Sequence, residues 1–495
     1  MLEQILYHST NRNLSLEQLK VIKDIDPNIK GAFKDLVTFK DTILWGQSPD
    51  TGLFNPVRLP TISLEEISSL KGKPPSDTGY LILRKFLTEE EMPDAVLRKL
   101  CKEAFNFEYP LEHLEDRKFL LMHTKSPTGD FKNTGARANA RFLSYFMEPG
   151  MIYIRNTITS GDTGGAVGLA DYLIRHLISV IWYPKDYISK VQKYIIDRIG
   201  GNVYALAVEG VDFTPIQDQI GKALLADSDL RQELLEMKVG LTSGNSINWG
   251  RVLPQLIHFV HAYAQLASPV GEPAIFSTPL GNMGHGLAGD IARRMGLPIF
   301  SVWPTNENDP FPRYLQTGVY KPLTAEQVNL KCKSNSMIVK NPSNAARLFD
   351  FEGGNVDKDG RVNGYPSLPG IQKHIYSAKV MMGEEDEAIK YVFKQYGIHI
   401  DPHGACAFHG FMDFANKEKL AKDMLSIIQV TAHPYKYEDH VRELTGEAPK
   451  KPEQFEWFDN RPESCKIMPF DYAVARQFIL DLAYKQRQIE NRLHA

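Results

Sequence analysis

The chain has 495 residues, 43% hydrophobic and 24% charged, with Lys+Arg 57 against Asp+Glu 60 for a net charge of −3. That length exceeds one hydrophobic core and predicts two or three domains, and the balanced charge excludes a surface built to hold a nucleic-acid backbone. Four cysteines (Cys101, Cys332, Cys406 and Cys465) stand far apart with no C-x-x-C pair, which argues against a disulfide framework or a zinc site and fits a reducing cytoplasm.

No membrane span is expected. The longest apolar candidate, near Ile178 to Trp182, is only strand-length. Residues 1–24 mix charges with apolar residues, so no signal peptide is expected. Residues 1–105 form a mixed N-terminal region. Ser15 precedes Leu16-Glu17-Gln18-Leu19 as a helix cap. Trp45 to Pro60, rich in Gly, Pro and Asp, predicts turns. Thr88 and Glu91 are spaced as a capping box before helical material that runs to Phe107.

From Phe119 the rhythm changes to strand, glycine loop, helix. Phe119–Met122 is a predicted strand that leads into the loop around Lys132. Met151–Ile154 leads into Thr159-Ser160-Gly161-Asp162-Thr163-Gly164-Gly165 and a helix. Ile178–Trp182 and Val203–Val208 are further strands. Pro273–Ser277 ends in Gly281-Asn282-Met283-Gly284-His285-Gly286 and another helix, and Pro298–Val302 follows. This alternation predicts parallel α/β sheets. Phe351 to Gly370 predicts a surface excursion, Val430-Thr431-Ala432-His433-Pro434 a strand end, and Phe470 to His494 a closing helix.

Several segments carry chemistry. Lys132 lies in Pro127-Thr128-Gly129-Asp130-Phe131-Lys132-Asn133. A lysine on a short constrained loop is either a solvated side chain or an amine able to condense with a carbonyl. Gly281 to His285 suits a backbone nest for an anion or a plain tight turn, and it matches neither G-x-G-x-x-G nor a P-loop. Ser160 to Gly165 is either a ligand clasp or a helix cap. Asn245-Ser246-Ile247-Asn248-Trp249-Gly250-Arg251 opens a helix that Asn245 and Ser246 suit as the cap, and Arg251, a turn or two later, is placed to clamp a phosphate or to lie on the surface. Thr305-Asn306-Glu307-Asn308-Asp309 is a polar loop and His403 a turn histidine. Asp162, His403 and a serine make a hydrolase triad only on paper, because no G-x-S-x-G elbow is present.

Together these pieces resemble the threonine synthases, pyridoxal-phosphate enzymes of fold type II in the tryptophan-synthase-β-like group. Pro127 to Lys132 is similar to the family's H-G-P-T-x-x-F-K-D. Ser160 to Gly164 matches S-G-D-T-G, and Asn245 to Arg251 matches N-S-I-N-x-x-R. Gly281 to Gly284 matches G-N-x-G, Thr305 to Asp309 matches T-N-E-N-D, and Thr431 to Pro434 matches T-A-H-P. Asp50-Thr51-Gly52-Leu53-Phe54 resembles D-G-G-L-F. The chain departs from the pattern in four places. Three residues separate His123 from Pro127 where the family has one, and Asn133 replaces Asp. His285-Gly286 differs from the common Asn or Asp, and His403-Gly404 lacks the usual Thr.

The resemblance implies two parallel-sheet α/β domains with an additional N-terminal α+β domain. The divisions are 1–105, then 106–270 with the cofactor lysine and substrate loops, then 271–495 with the cofactor phosphate loop. It implies pyridoxal 5′-phosphate joined to Lys132, which is then also the proton shuttle. Asn133, Gly281, Asn282, Met283, Gly284, His285 and Thr431 are the remaining cofactor contacts. Ser160, Gly161, Asp162, Thr163, Gly164, Asn245, Ser246, Arg251 and Lys125 are the substrate contacts. No metal is expected. The implied reaction takes O-phospho-L-homoserine and water to L-threonine and phosphate, in a cytoplasmic monomer or homodimer with no nucleic-acid or membrane partner. The longer segment before Pro127 motivates an alternative, a phospho-lyase giving 2-oxobutyrate from phosphothreonine or phosphohomoserine. A non-catalytic anion-binding relative is a third.

Overall fold

The strand Ile152–Ile158 is buried at every position, and so is Leu177–Pro184. Strands apolar on both faces belong in the middle of a parallel sheet covered by helices on each side. The computed structural model, which describes residues 3–493, places them there. They occupy a five-stranded, all-parallel sheet in the order Lys466–Met468, Val203–Val208, Leu177–Pro184, Ile152–Ile158, Val239–Ser243. A six-stranded sheet runs in the order Ile375–Tyr376, Ile299–Val302, Ala274–Ser277, Leu425–Val430, Lys118–Met122, Leu111–His113. Only its last pairing is antiparallel.

Every predicted strand is present, with ends moved by a few residues. Val239–Ser243, Ile375–Tyr376 and Lys466–Met468 carry no sequence signal that set them apart. The 106–270 region, expected as one α/β unit, contributes to both sheets: Lys118–Met122 pairs with Leu425–Val430, some three hundred residues later. The N-terminal region does not keep a separate core either. Phe39, Phe54 and Phe86 share one apolar cluster with Trp249, Phe259 and Leu287.

Local signals mostly hold. Ser15 caps Leu16–Lys20 with a complete capping box to Gln18. Thr88 and Glu91 also exchange both box hydrogen bonds, at 3.2 and 2.9 Å. Yet no helix begins there; it begins at Asp94, after Pro93. A proline disfavours helical backbone in the residue before it, so Met92 cannot continue the turn. The closing helix is Tyr472–Leu493, and His494 lies outside the described residues. Among the described residues, no helix is long and apolar enough to cross a membrane.

Candidate active site

Ligands of parallel α/β sheets bind beyond the carboxyl ends of the strands, where loops turn into helix N-termini. Here the ends of both sheets face one cavity. Its lining includes Lys132, Ser160, Thr163, Asn245, Ser246, Arg251, Gly281, Asn282, Met283, Gly284, His285 and Thr431.

Sheet register explains why Lys132 and Thr431 meet. Met122 pairs with Val430. Pairing continues past both strands: His123 N–H donates to Val430 at 3.0 Å and Phe131 N–H to Thr431 at 3.0 Å. Between them the loop folds on Ser126, whose Oγ accepts from Asp130 N–H at 2.8 Å and donates to the Asp130 carbonyl at 2.7 Å. Lys132 is thereby the first residue of the helix Lys132–Phe146. Its side chain is 14% exposed, with Nζ 3.4 Å from Asp162 Oδ2 and 4.4 Å from the Phe131 ring centroid.

The glycine loop follows Ala274–Ser277, the strand beside Leu425–Val430. Met283 adopts φ +61° and caps the helix Gly284–Arg294. A Cβ on Gly281 would sit 2.4 Å from the Ser336 carbonyl oxygen, so only glycine fits. The Asn282 carbonyl accepts from Asn344 Nδ2 at 2.9 Å, which fixes the loop. His285 stacks on Phe131 with centroids 4.3 Å apart. A helix N-terminus with free N–H groups at the floor of a cavity is an anion seat.

Opposite this, in the second sheet, Ile152–Ile158 and Val239–Ser243 are neighbours, which brings Ser160 and Thr163 against Asn245, Ser246 and Arg251. Gly161 takes φ +137°, and a Cβ there would overlap the Gln192 side chain at 2.2 Å. Thr159 Oγ1 accepts from Gly161 and Gly164 N–H, both at 2.9 Å, and starts the helix Asp162–Asp171.

Arg251 is 2% exposed. Nη1 donates to the Gly244 carbonyl, Nε has no hydrogen-bond partner, and among the described residues no carboxylate pairs with it. Burial, reinforced by the charge of Arg155, pushes its pKa down to about 9. Asp171 and Asp130 oppose that shift from beyond ion-pair distance, and a desolvated guanidinium lining a cavity with no carboxylate in contact is suited to receive a bidentate anion.

Some expected contacts lie elsewhere. Asp162, expected to meet substrate, does not line the cavity. It is the counter-ion of Lys132 and of the buried Lys436, whose Nζ donates to Asp162 Oδ1 at 3.0 Å, and Gln192 Nε2 adds a 2.9 Å bond. Burial works to raise the Asp162 pKa, but Lys436 and Lys132 outweigh it and hold it below the usual carboxylate range. Asn133 is likewise not in the lining; its Nδ2 donates to Thr128 Oγ1 at 2.8 Å and to Ser126 and Asp130, bracing the loop. Gly161 and Gly164 shape the turn from behind. Lys125 is exposed and outside the cavity. Asn245 lines it, but its side chain exchanges two hydrogen bonds with the Ile158 backbone, at 3.0 and 2.7 Å.

Other residues enter that the sequence reading missed. His403 is buried at the cavity wall: Nδ1 bonds Asp401 at 2.7 Å, and Nε2 accepts the Ser336 N–H at 3.1 Å. That backbone bond occupies the nitrogen a hydrolase triad would need. Ser336, Met337 and Gln255 also line the cavity, and Lys436 and Asp130 stand behind Lys132. Ser336, Met337, Gln255 and Lys436 have no spacing that marks them. Thr305 to Asp309 is a buried bracing loop, with Asn306 bonded to Ser334 at 3.0 Å. Asp50 organises the N-terminal region through Ser9, Gly52 and Phe33.

Two parallel sheets whose strand ends set a lysine opposite a glycine-loop helix N-terminus define the fold type II enzymes. Among solved structures, the chain superposes on pyridoxal-phosphate-bound threonine synthase from Brucella melitensis with TM-score 0.81 and 27% identity, covering 96% of this chain and 99% of that one. For the Escherichia coli threonine synthase structure the values are 0.78, 28%, 91% and 98%. Family models described as the threonine synthase N terminus and the threonine synthase C-terminal match residues 31–105 and 405–479. The threonine synthase of Haemophilus influenzae is 33% identical over 448 residues, 90% of this chain and 97% of that protein. That of Escherichia coli K12 is 30% identical over 451 residues, with the same coverage. The chain belongs to the threonine synthase family.

Proposed function

We propose that this chain makes L-threonine and phosphate from O-phospho-L-homoserine and water, with pyridoxal 5′-phosphate held at Lys132. The observation that carries the site assignment is the pairing of two anion receptors in one cavity with Lys132: the Gly281–Gly284 helix N-terminus and the unpaired, buried Arg251. The substrate and cofactor each bring a phosphate, so two seats are needed. When bound, the cofactor supplies an electron sink for carbanions next to the substrate's α-carbon.

The residues divide the work as follows. Gly281, Asn282, Met283 and Gly284 would hold the cofactor phosphate on backbone N–H groups, above the Phe131–His285 stack. Thr431 would offer its hydroxyl, not a carboxylate, to the cofactor's ring nitrogen. Ser160 and Thr163, at the N-terminus of their helix, receive the substrate carboxylate. Ser246 and Arg251 take the substrate phosphate. Lys132 Nζ, released when the substrate's amine takes its place, would take the protons of Cα and of Cβ one at a time. One proton would go to Cγ as phosphate departs from it, and one would return to Cα once water has added at Cβ. One amine serving several transfers needs a desolvated setting, and Lys132 has one at 14% side-chain exposure.

The extra residues before Pro127 lead to an exposed Lys125 and not into the cavity, so the motive for a phospho-lyase is weak. The four cysteines are free thiols and three are buried, which supports the cytoplasmic assignment. The test is to supply phosphohomoserine and quantify threonine and 2-oxobutyrate together. Threonine from the wild type, and neither product nor visible cofactor band from Lys132→Ala, is expected. Mainly 2-oxobutyrate would overturn the reading.

A further inference from the structure

Lys436 lies five residues past Thr431, on the turn Pro434–Tyr437. It is 2% exposed and is not part of the reaction cavity's lining. Its Nζ donates to Asp130 Oδ2 at 2.5 Å and to Asp162 Oδ1 at 3.0 Å. The other oxygen of Asp162 is 3.4 Å from Lys132 Nζ. The other oxygen of Asp130 accepts the backbone N–H of Lys132 at 3.0 Å. Lys436 is therefore tied to Lys132 twice, once at the amine through Asp162 and once at the backbone through Asp130.

Two carboxylates and two ammonium groups make this quartet neutral. Burial alone would strip the proton from Lys436, but Asp130 and Asp162 outweigh it and raise its pKa. Burial holds Asp130 above the usual range, with Lys436 opposing and the Asp162 charge reinforcing. The other titratable or charged groups around the quartet include His403 and Tyr437 beside Asp162, His123 and His285 beside Lys132, His433 beside Lys436, and Arg251 facing Asp130. Burial pushes the pKa of His123 and His285 down, so these two rings stay neutral. Lys436 is thus a buried cation one carboxylate away from a lysine whose own charge must come and go. A neighbouring cation lowers the proton affinity of an amine.

We propose that Lys436 is a positioning residue that holds Asp162 and Asp130 against Lys132 and sets the proton affinity of the Lys132 nitrogen. This rests on the function proposed above. One unit charge at such range in a buried site moves a neighbour's pKa by about 1–2 units.

The test follows the visible band of the cofactor-loaded enzyme against pH, beside kcat and KM. In Lys436→Met the midpoint of that titration and the acid limb of kcat/KM should rise by about 1–2 units. Lys436→Arg keeps the charge and should restore the midpoint. The double variant Lys436→Met with Asp130→Asn rebalances charge and should bring it back toward wild type. A simple packing role would lower activity without moving the midpoint, and an unmoved midpoint in folded Lys436→Met overturns the proposal. If Lys436→Met does not fold, Asp130→Asn alone decides: a downward shift supports the proposal and none overturns it. A wild type that shows the band and makes threonine while these midpoints stay fixed defeats only the role of Lys436. A wild type with no band defeats both readings.

Discussion

Replacing Arg251 with Met should lower activity and raise stability together. The guanidinium is buried, makes one bond to the Gly244 carbonyl, and pairs with no carboxylate among the described residues. Its pKa is pushed from 12.5 to about 9. At about 1.4 kcal/mol per unit, keeping the charge there costs about 4–5 kcal/mol in the ligand-free protein. Methionine removes that cost and loses about 1–2 kcal/mol with the Gly244 bond. The net is a more stable apoprotein by about 3 kcal/mol, read as a higher urea midpoint. Binding should move the other way. Losing a buried charged partner of a phosphate weakens binding by about 2–5 kcal/mol, or about 30- to 4000-fold in kcat/KM. Inorganic phosphate should raise the thermal midpoint of wild type and not of the variant. A variant that is less stable yet keeps its KM would show that Arg251 is structural and that the phosphate sits elsewhere.

Three further outcomes follow from the same geometry. Gly281→Ala places Cβ 2.4 Å from the Ser336 carbonyl oxygen; cofactor affinity should fall at least about 10-fold in fluorescence titration of the apoenzyme, and a change under twofold would contradict the cradle. Asn245→Ala deletes both bonds to the Ile158 backbone and should destabilise by about 1–3 kcal/mol by urea denaturation; a pure KM effect would instead make Asn245 a substrate ligand. Burial pushes the pKa of His123 and His261 to about 4 from 6.5. Below pH 6.5 the unfolded chain takes up protons that these rings refuse, so each withdraws up to about 3 kcal/mol as the pH falls to 4. Thermal midpoints should fall through that window, and less steeply in His261→Gln; equal slopes would refute the assignment.

Much of this protein is legible in one dimension because its signals are local. Ser15 with Gln18, the wholly buried strands near Ile152 and Leu177, and the glycines of the 281–284 loop depend on neighbours a few residues away. Period, capping and backbone freedom fix them without reference to the rest of the chain. The Thr88–Glu91 box shows the limit even there: its hydrogen bonds form, but Pro93 moves the helix start to Asp94.

What tertiary structure decided is which of these pieces meet, and with what charge. Lys132 and Thr431 are adjacent because Met122 pairs with Val430, a register no spacing reveals. Asp162 sits inside a sequence motif that suggests substrate contact, yet it faces Lys132 and Lys436 because a buried carboxylate must be neutralised by whatever cations the fold brings within reach. Lys436 carries no mark in the sequence, since burial and ion pairing are properties of packing. Composition and motif thus determine the chemistry available to the chain. The meeting of two sheets at one cavity determines which side chains perform it and which hold them in place.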